Sequence, residues 1–516
     1  MVKNLHFAIR VFFYLPLLGI ILSGWGVSCS QQTTQLPENK PPNILFLFAD
    51  DQRSKTIREL GNSEVITPHL DSLVRNGTSF PNAYIMGAMN GAVCAPSRAM
   101  LMTGRSLFNI DPTGNTIDSL HMTMPKALEQ GGYHTYHIGK WHNGRDAFTR
   151  SFMDGSKIFF GGMHRQYEVP TYEFMADKRY AKAQMNPPSP KHSSELYADA
   201  AVDFLKNYQR EAPFFMYVAF QAPHDPREMP QRYLDLYDTA AIDLPPNFLV
   251  EHPFDNGELD IRDEWLAGYP RSPQEVKANI AAYYAMITHL DAQIGRIMKA
   301  LAQSGRADNT IVIFSGDNGL AVGQHGLMGK QNLYEHSIKV PLVFAGPDIP
   351  AGQQTHVRAY LSDLFPTFCE WGKAKVPSSV QGKSLTAAIQ GDTTQIHEGM
   401  FYAYKNFQRA ARNDRWKILK YNVGNEITTQ LFDLDNDPYE MINLAPNPTH
   451  AGQLAKMETL LGELMRGYHD KASLEKLGWG VPVLPAWKDK VNPVQVDHLR
   501  ELAEQERAMR GFGSKP

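Results

Sequence analysis

Cys94-Ala95-Pro96-Ser97-Arg98, followed by Leu101-Met102-Thr103-Gly104-Arg105, is where residue type and spacing most directly specify chemistry. Pro96 suits the first turn of a helix and Gly104 suits its end. The pattern predicts a helix whose N-terminus carries Cys94, where backbone N–H groups and the dipole favour an anion. Arg98 lies four residues further on and projects from the same side. A thiol so placed is an activated nucleophile beside an anion site. The alternative is a buried cysteine ahead of a capped helix, and this segment alone does not separate the two.

The segment resembles the signature of the type I sulfatase family, C-x-P-S-R with a trailing L-x-T-G-R, and the pattern is intact here. The resemblance runs from about Asn43 to Leu444. It implies that a formylglycine-generating maturation enzyme oxidises Cys94 to formylglycine. The hydrated aldehyde is a gem-diol, in which one oxygen attacks sulfur and the other later expels sulfate by re-forming the carbonyl. The implied fold is α/β: an alkaline-phosphatase-like, mostly parallel central sheet flanked by helices, with a smaller α+β C-terminal subdomain.

Attack on a sulfate monoester needs charge neutralisation, usually by a metal. Asp50 and Asp51 close one apolar run, while Asp317 and Asn318 follow another. All four offer hard oxygen ligands of the kind Ca²⁺ takes, and no Cys or His cluster points to zinc. A strand-end Asp can also be a simple cap or turn former. Two such pairs, each matching the family's metal ligands, favour the metal reading. The resemblance implies Ca²⁺, and ligand type also admits Mg²⁺.

The remaining cations come in short motifs. Gly139-Lys140-Trp141-His142 resembles the family's G-K-W-H segment. By that match Lys140 steadies the formylglycine oxygens and His142 takes the proton that drives sulfate elimination, a task imidazole suits near neutral pH. His224 in Ala222-Pro223-His224 matches a sulfate-binding position. Lys330, in Gly329-Lys330 ahead of Tyr334-Glu335-His336 and Val340-Pro341, binds sulfate by the same match and, with His224, helps protonate the departing alcohol. Singly, such residues are usually solvated or structural; their joint spacing carries the assignment. His69, His134 and His137 lie in ordinary segments and read as structural. Gln324 departs from the Glu that the family often has before the histidine at His325, so that loop receives no substrate role.

These residues need a scaffold that gathers them. The continuous apolar runs Ile44 to Ala49, Phe214 to Phe220 and Ile311 to Phe314 read as buried parallel strands with function at their C-terminal ends. Ser272-Pro273-Gln274-Glu275 predicts a helix start with a capping box. Val276, Ile280, Tyr284, Ile287, Leu290, Ile294 and Ile297 then form one apolar stripe at helical spacing. Strands alternating with helices predict a mostly parallel, doubly wound sheet. After about residue 395, Trp416 to Tyr421 and Gln430 to Leu434 read as short antiparallel strands, with Asp435-Asn436-Asp437-Pro438 as a turn.

Lys3 and Arg10 precede the apolar run Val11 to Ile21, which predicts an export signal over residues 1–29. The run contains Pro16 and is shorter than the roughly 20 residues that span a bilayer. Ser28-Cys29-Ser30 loosely resembles a bacterial lipoprotein cleavage site, with Gly26 where such sites carry Leu, so Cys29 is a candidate for lipidation. The implied location is the periplasm, the cell surface or the medium, with the membrane touched only through that anchor. Residues 30–40 read as a linker, 41–394 as the catalytic domain and 395–516 as the C-terminal subdomain. Of the three cysteines, Cys369 lies in an apolar stretch and reads as a buried small hydrophobe.

A net charge of -3 leaves no nucleic-acid footprint. The reading is hydrolysis of a sulfate monoester on a sulfated carbohydrate, with Phe159 to Arg165 as a segment that could contact the sugar. Two alternatives stand beside it: a formylglycine-dependent phosphonate or phosphate ester hydrolase, and a non-catalytic surface glycan-binding lipoprotein.

Overall fold

The computed structural model describes residues 40–175, 179–472, 479–480 and 493–509. The export signal, Cys29 and nearly all of the 30–40 linker lie outside the described residues. The elements below belong to the compact unit Pro41–Pro516.

The elements that matter here are β1 (Asn43–Ala49), β2 (Gly77–Ser79), β3 (Gly87–Ala88), α1 (Cys94–Thr103), β4 (His134–Lys140), β5 (Asp154–Phe159), α2 (Ser193–Asn207), β6 (Phe214–Ala219), α3 (Pro273–Gln303), β7 (Thr310–Gly316), β8 (Leu342–Ala345), β9 (Gln353–Gln354), α4 (Leu364–Trp371), β10 (Met400–Tyr404), β11 (Gln408–Arg412), β12 (Trp416–Val423), β13 (Glu426–Asp433) and α5 (Ala451–Gly467). An eight-stranded sheet has the order β9-β2-β8-β7-β1-β6-β4-β5. Only β8 runs against its neighbours.

The apolar runs become central strands because both their faces are covered. Leu45 and Leu47 of β1 pack with Met286, Leu290, Ile294 and Ile297 of α3. Phe46 and Phe48 turn the other way, toward Phe215, Tyr217, Phe365 and Phe368. The predicted stripe on α3 is buried throughout. Its start differs from expectation: Ser272 makes no cap bond, its hydroxyl pairs with the Gln274 side chain, and the Glu275 carboxylate instead accepts the Gly268 N–H at 3.0 Å. A loop donor brought in by the tertiary fold takes the place of the capping box.

The C-terminal subdomain is a five-stranded sheet, β13-β12-β11-β10-β3, with α5 across β11 and β12. Its last strand is not C-terminal. β3 pairs in parallel with β10, Gly87 opposite Ala403 and Ala88 opposite Tyr404, so the sheet takes in a segment that lies just ahead of Cys94. Cys369 on α4 is fully buried and unpaired, as a small hydrophobe should be.

Candidate active site

Register gathers the site. β1 and β7 are parallel and their last paired residues are Ala49 and Gly316, so Asp50-Asp51 and Asp317-Asn318 leave the sheet side by side. Across the other edge of β1, Phe48 pairs with Ala219 of β6, and Ala219 with Gly139 of β4. Lys140 therefore ends its strand at the same edge. Gly139 has φ 93°, and a Cβ there would lie 2.1 Å from the Ala219 carbonyl oxygen, so only glycine lets β4 approach this closely.

α1 docks onto that edge through its own side chains. Arg98 Nε donates to Asp317 Oδ2 at 2.9 Å, and its guanidinium also reaches the Lys140 carbonyl at 3.2 Å and the Tyr217 hydroxyl at 3.4 Å. The Ser97 hydroxyl donates to the Asp317 carbonyl at 2.6 Å. Asn143 donates to the carbonyls of Ala95 at 2.9 Å and Gly114 at 2.5 Å, which ties the first turn of α1 to the end of β4.

Cys94 thus faces Lys140, whose Nζ lies 3.7 Å from the sulfur and forms an ion pair with Asp50. Lys330 Nζ lies 2.7 and 2.9 Å from the two oxygens of Asp51. His224 donates Nδ1–H to the Asp225 carbonyl at 2.7 Å, which leaves Nε2 directed at Asp51, 3.6 Å away. His142, at φ 70°, has an Nδ1 without a partner, and the Phe159–Arg165 loop lies against it: a Cβ on Gly162 would sit 2.4 Å from His142 Nε2. The same loop reaches the His224 segment, with Arg165 on Glu228 at 2.9 Å.

Burial, with Asp317 beside it, pushes Asp50 up to about 6, although Lys140 and His224 pull the other way. Burial also pushes the Cys94 thiol up to about 11 against the pull of Lys140 and Lys330, so the unmodified side chain is a neutral thiol and a weak nucleophile. For Asp317 burial is outweighed by Arg98, Lys140 and Lys330, and its pKa is lowered. Burial, then Lys140 and Arg98, push His142 well below the usual imidazole range, which keeps it neutral and able to accept a proton.

The acidic residues fit a hard divalent cation. Asp50, Asp51, Asp317 and Asn318 are each at most 2% exposed, and Asp50 Oδ1 and Asn318 Oδ1 have no hydrogen-bond partner. Asp50 stays raised even with Lys140 paired to it, so the cluster can take further positive charge, which such an ion would supply. Spacing did not reveal that Cys94 and His224 join this group: Asp50, Cys94 and Asp317, and likewise Asp50, Asp51 and His224, bring ligand atoms within 4.8 Å of one another.

All ten candidate residues, Asp50, Asp51, Cys94, Arg98, Lys140, His142, His224, Asp317, Asn318 and Lys330, therefore meet at one sheet edge. The histidines given no role lie elsewhere: His325 stacks on Tyr334 with centroids 4.0 Å apart, His134 stacks on Phe204, His137 lies among Trp141, Phe148 and Phe152, and His69 packs against Gly295 of α3. Several neighbours had no signal in the sequence. Tyr283 donates its hydroxyl to the Asp51 carbonyl at 2.6 Å, Arg262 pairs with Asp225 behind His224, and Asp263 accepts from Gln331 at 2.7 Å.

Residues 42–374 match the sulfatase family profile, and residues 323–494 match that of the N-sulphoglucosamine sulphohydrolase C-terminal region. An N-acetylglucosamine-6-O-sulfatase of Bacteroides thetaiotaomicron is 26% identical over 534 residues, covering 90% of this chain and 92% of that protein. A structure solved in complex with its substrate D-glucosamine-2-N,6-O-disulfate superposes with TM-score 0.72 at 24% identity, covering 85% of this chain and 100% of that one. The phosphonate monoester hydrolase of Agrobacterium radiobacter shares the fold with TM-score 0.65 at 21% identity, over 83% of this chain and 96% of that one. One family profile spans well over half of the chain, and the segments that resembled it converge on a single sheet edge; the chain belongs to the sulfatase family and is a sulfuric ester hydrolase.

Proposed function

We propose that this chain hydrolyses a sulfate monoester of a sulfated carbohydrate, with glucosamine sulfates the first candidates, through a formylglycine made from Cys94. The observation that carries the reading is Cys94 at the N-terminus of α1, 3.7 Å from Lys140 and beside a buried acidic cluster. The sugar is supported by the similarity to the N-acetylglucosamine-6-O-sulfatase and to the structure bound to a glucosamine disulfate.

Asp50, Asp51, Asp317 and Asn318 would hold Ca²⁺, or Mg²⁺ by ligand type, which when bound neutralises charge on the sulfate oxygens. One hydroxyl of the Cys94 gem-diol gives its proton to the neighbouring Asp50 carboxylate and attacks sulfur; the new S–O bond forms as the S–O bond to the sugar breaks. Lys330 and His224 hold the sulfate, and the departing sugar oxygen takes its proton from them, leaving R–OH. Lys140 steadies the diol oxygens, and Arg98 holds Asp317 in place. Neutral His142 then removes the proton of the remaining hydroxyl; the carbonyl re-forms and the C–O bond to sulfate breaks. Water adds to the aldehyde and restores the diol.

Matured protein is to be assayed on a panel of sulfated oligosaccharides and on paired aryl sulfate and aryl phosphonate esters. Desulfation of at least one oligosaccharide, with aryl sulfate turned over faster than phosphonate, is the expected result. Preference for the phosphonate would replace this reading with the phosphonate hydrolase one.

A further inference from the structure

Asp51 is held in a backbone conformation that aspartate seldom adopts. Its φ is 62°, in the left-handed region where the Cβ of an L residue crowds the following carbonyl. Such a residue persists when its surroundings over-determine it. Several of the contacts that do so come from the site itself. The Asp51 N–H donates to Asp317 Oδ1 at 3.0 Å, and its carboxylate accepts from Asn318 Nδ2 at 2.7 Å and from Lys330. These bonds tie candidate residues to one another, not to the core.

Tyr283 supplies the tie to the core. It lies on α3, fully buried, in the apolar cluster that includes Val276, Ile280 and Ile287. Its hydroxyl donates to the Asp51 carbonyl at 2.6 Å and accepts the Arg53 N–H at 3.0 Å, so one oxygen spans the turn that follows β1. The ring is flanked as well: the guanidinium carbons of Arg53 and Arg227 lie 5.3 and 5.9 Å from its centroid.

The bond reaches the Asp51 main chain, yet its effect is on the carboxylate. The φ angle at Asp51 sets where its Cβ stands relative to β1. A turn released by loss of the hydroxyl can relax toward an ordinary φ, and the carboxylate then swings away from Asp317 and Asn318.

We infer that Tyr283 is a positioning residue for the cation site: its hydroxyl holds the left-handed turn at Asp51 and thereby keeps the Asp51 carboxylate beside Asp317 and Asn318. The inference rests on the reading of Asp50, Asp51, Asp317 and Asn318 as ligands of Ca²⁺, and it assigns the geometry of one of them to a side chain of α3.

The test is calorimetric titration of the metal-free full chain with Ca²⁺, paired with melting temperatures measured with and without saturating Ca²⁺. It is run on wild type, on Tyr283→Phe, which keeps the ring, and on Tyr237→Phe. The Tyr237 hydroxyl also joins α3 to a distant segment, pairing with Thr288 at 2.6 Å and accepting the Ile66 N–H at 3.0 Å, but it touches no candidate ligand. Tyr283→Phe should bind Ca²⁺ about 10- to 100-fold more weakly than wild type, the usual loss when a partner that orients a metal ligand is removed, and should gain less in melting temperature from Ca²⁺. Tyr237→Phe should melt lower without metal and bind Ca²⁺ as wild type does. Wild-type affinity in Tyr283→Phe overturns the inference and leaves the cation site standing. So does an equal loss of affinity in both variants, which would trace to a general loosening of α3. A wild type that binds neither Ca²⁺ nor Mg²⁺ overturns the cation reading, and the inference with it.

Discussion

The ammonium of Lys140 lies 3.7 Å from the sulfur of Cys94, at a depth where neither side chain meets solvent. Its other partner is the equally buried Asp50. In Lys140→Met, Asp50 keeps its desolvation and loses its cation. Breaking a buried pair from one side costs about 3–5 kcal/mol, so metal-free Lys140→Met should unfold at clearly lower urea. Turnover should fall on the order of 100-fold or more, as loss of a preorganised charge at the reacting oxygens does. Near-wild-type rate and stability would remove Lys140 from the mechanism.

A gem-diol accepts sulfate on one oxygen and releases it with the other, whereas serine has a single oxygen. Cys94→Ser, verified to contain unmodified serine, should retain one sulfo group after incubation with substrate, on the peptide that holds Ser97 and Arg98. Cys94→Ala should gain nothing, and neither should turn over. Intact-mass and peptide mass spectrometry read the outcome; turnover by either variant at the wild-type rate would rule out formylglycine at this position.

Binding of a cation to oxygens from two strand ends adds stability by mass action. Chelation is therefore expected to lower both melting temperature and activity, and Ca²⁺ to restore both. Full activity of exhaustively chelated protein, with metal content measured, would contradict the site.

If Lys330 and His224 assist the leaving alcohol, the Ala variant of each should lose most on sugar sulfates, whose alcohols leave poorly. The deficit should shrink on an activated aryl sulfate, where less proton transfer is needed. Equal losses on both substrates would confine these residues to sulfate binding.

Burial holds His137 and His192 down at about 3, and His252 and His289 at about 4. Well above pH 6.5 the four rings are neutral whether the chain is folded or not. Below that, the unfolded chain takes up protons that the folded chain refuses, so stability falls as pH drops toward 4. By pH 5 each such ring costs about 2 kcal/mol. Urea midpoints should therefore fall between pH 7 and pH 5, and less steeply in His137→Phe, whose ring still packs against Phe148 and Phe152. Equal slopes in the two proteins would show that folding does not lower the proton affinity of His137.

The convergence of the candidate residues was legible in the sequence because each contributing segment carries a local signature. An apolar run ending in Asp-Asp, or Pro96 and Gly104 bounding α1, needs no tertiary information. Tyr283, Asn143 and the Arg262–Asp225 pair were invisible because their roles exist only through contacts between distant segments. The capping box at Ser272 failed for the same reason: Gly268 N–H, placed by a loop, outcompetes the local partner for Glu275.

The pairing of β3 with β10 also sets an order of events in time. Gly87 and Ala88 lead directly into the Cys94 segment, yet their partners, Ala403 and Tyr404, are made some three hundred residues later. Until the ribosome has delivered that stretch, the approach to α1 has no strand to settle against. In the finished fold Cys94 is 2% exposed. Synthesis of the intervening chain therefore opens an interval in which the thiol can be reached, and arrival of the C-terminal sheet closes it. If Cys94 is matured to formylglycine as proposed above, conversion has to precede completion of this sheet.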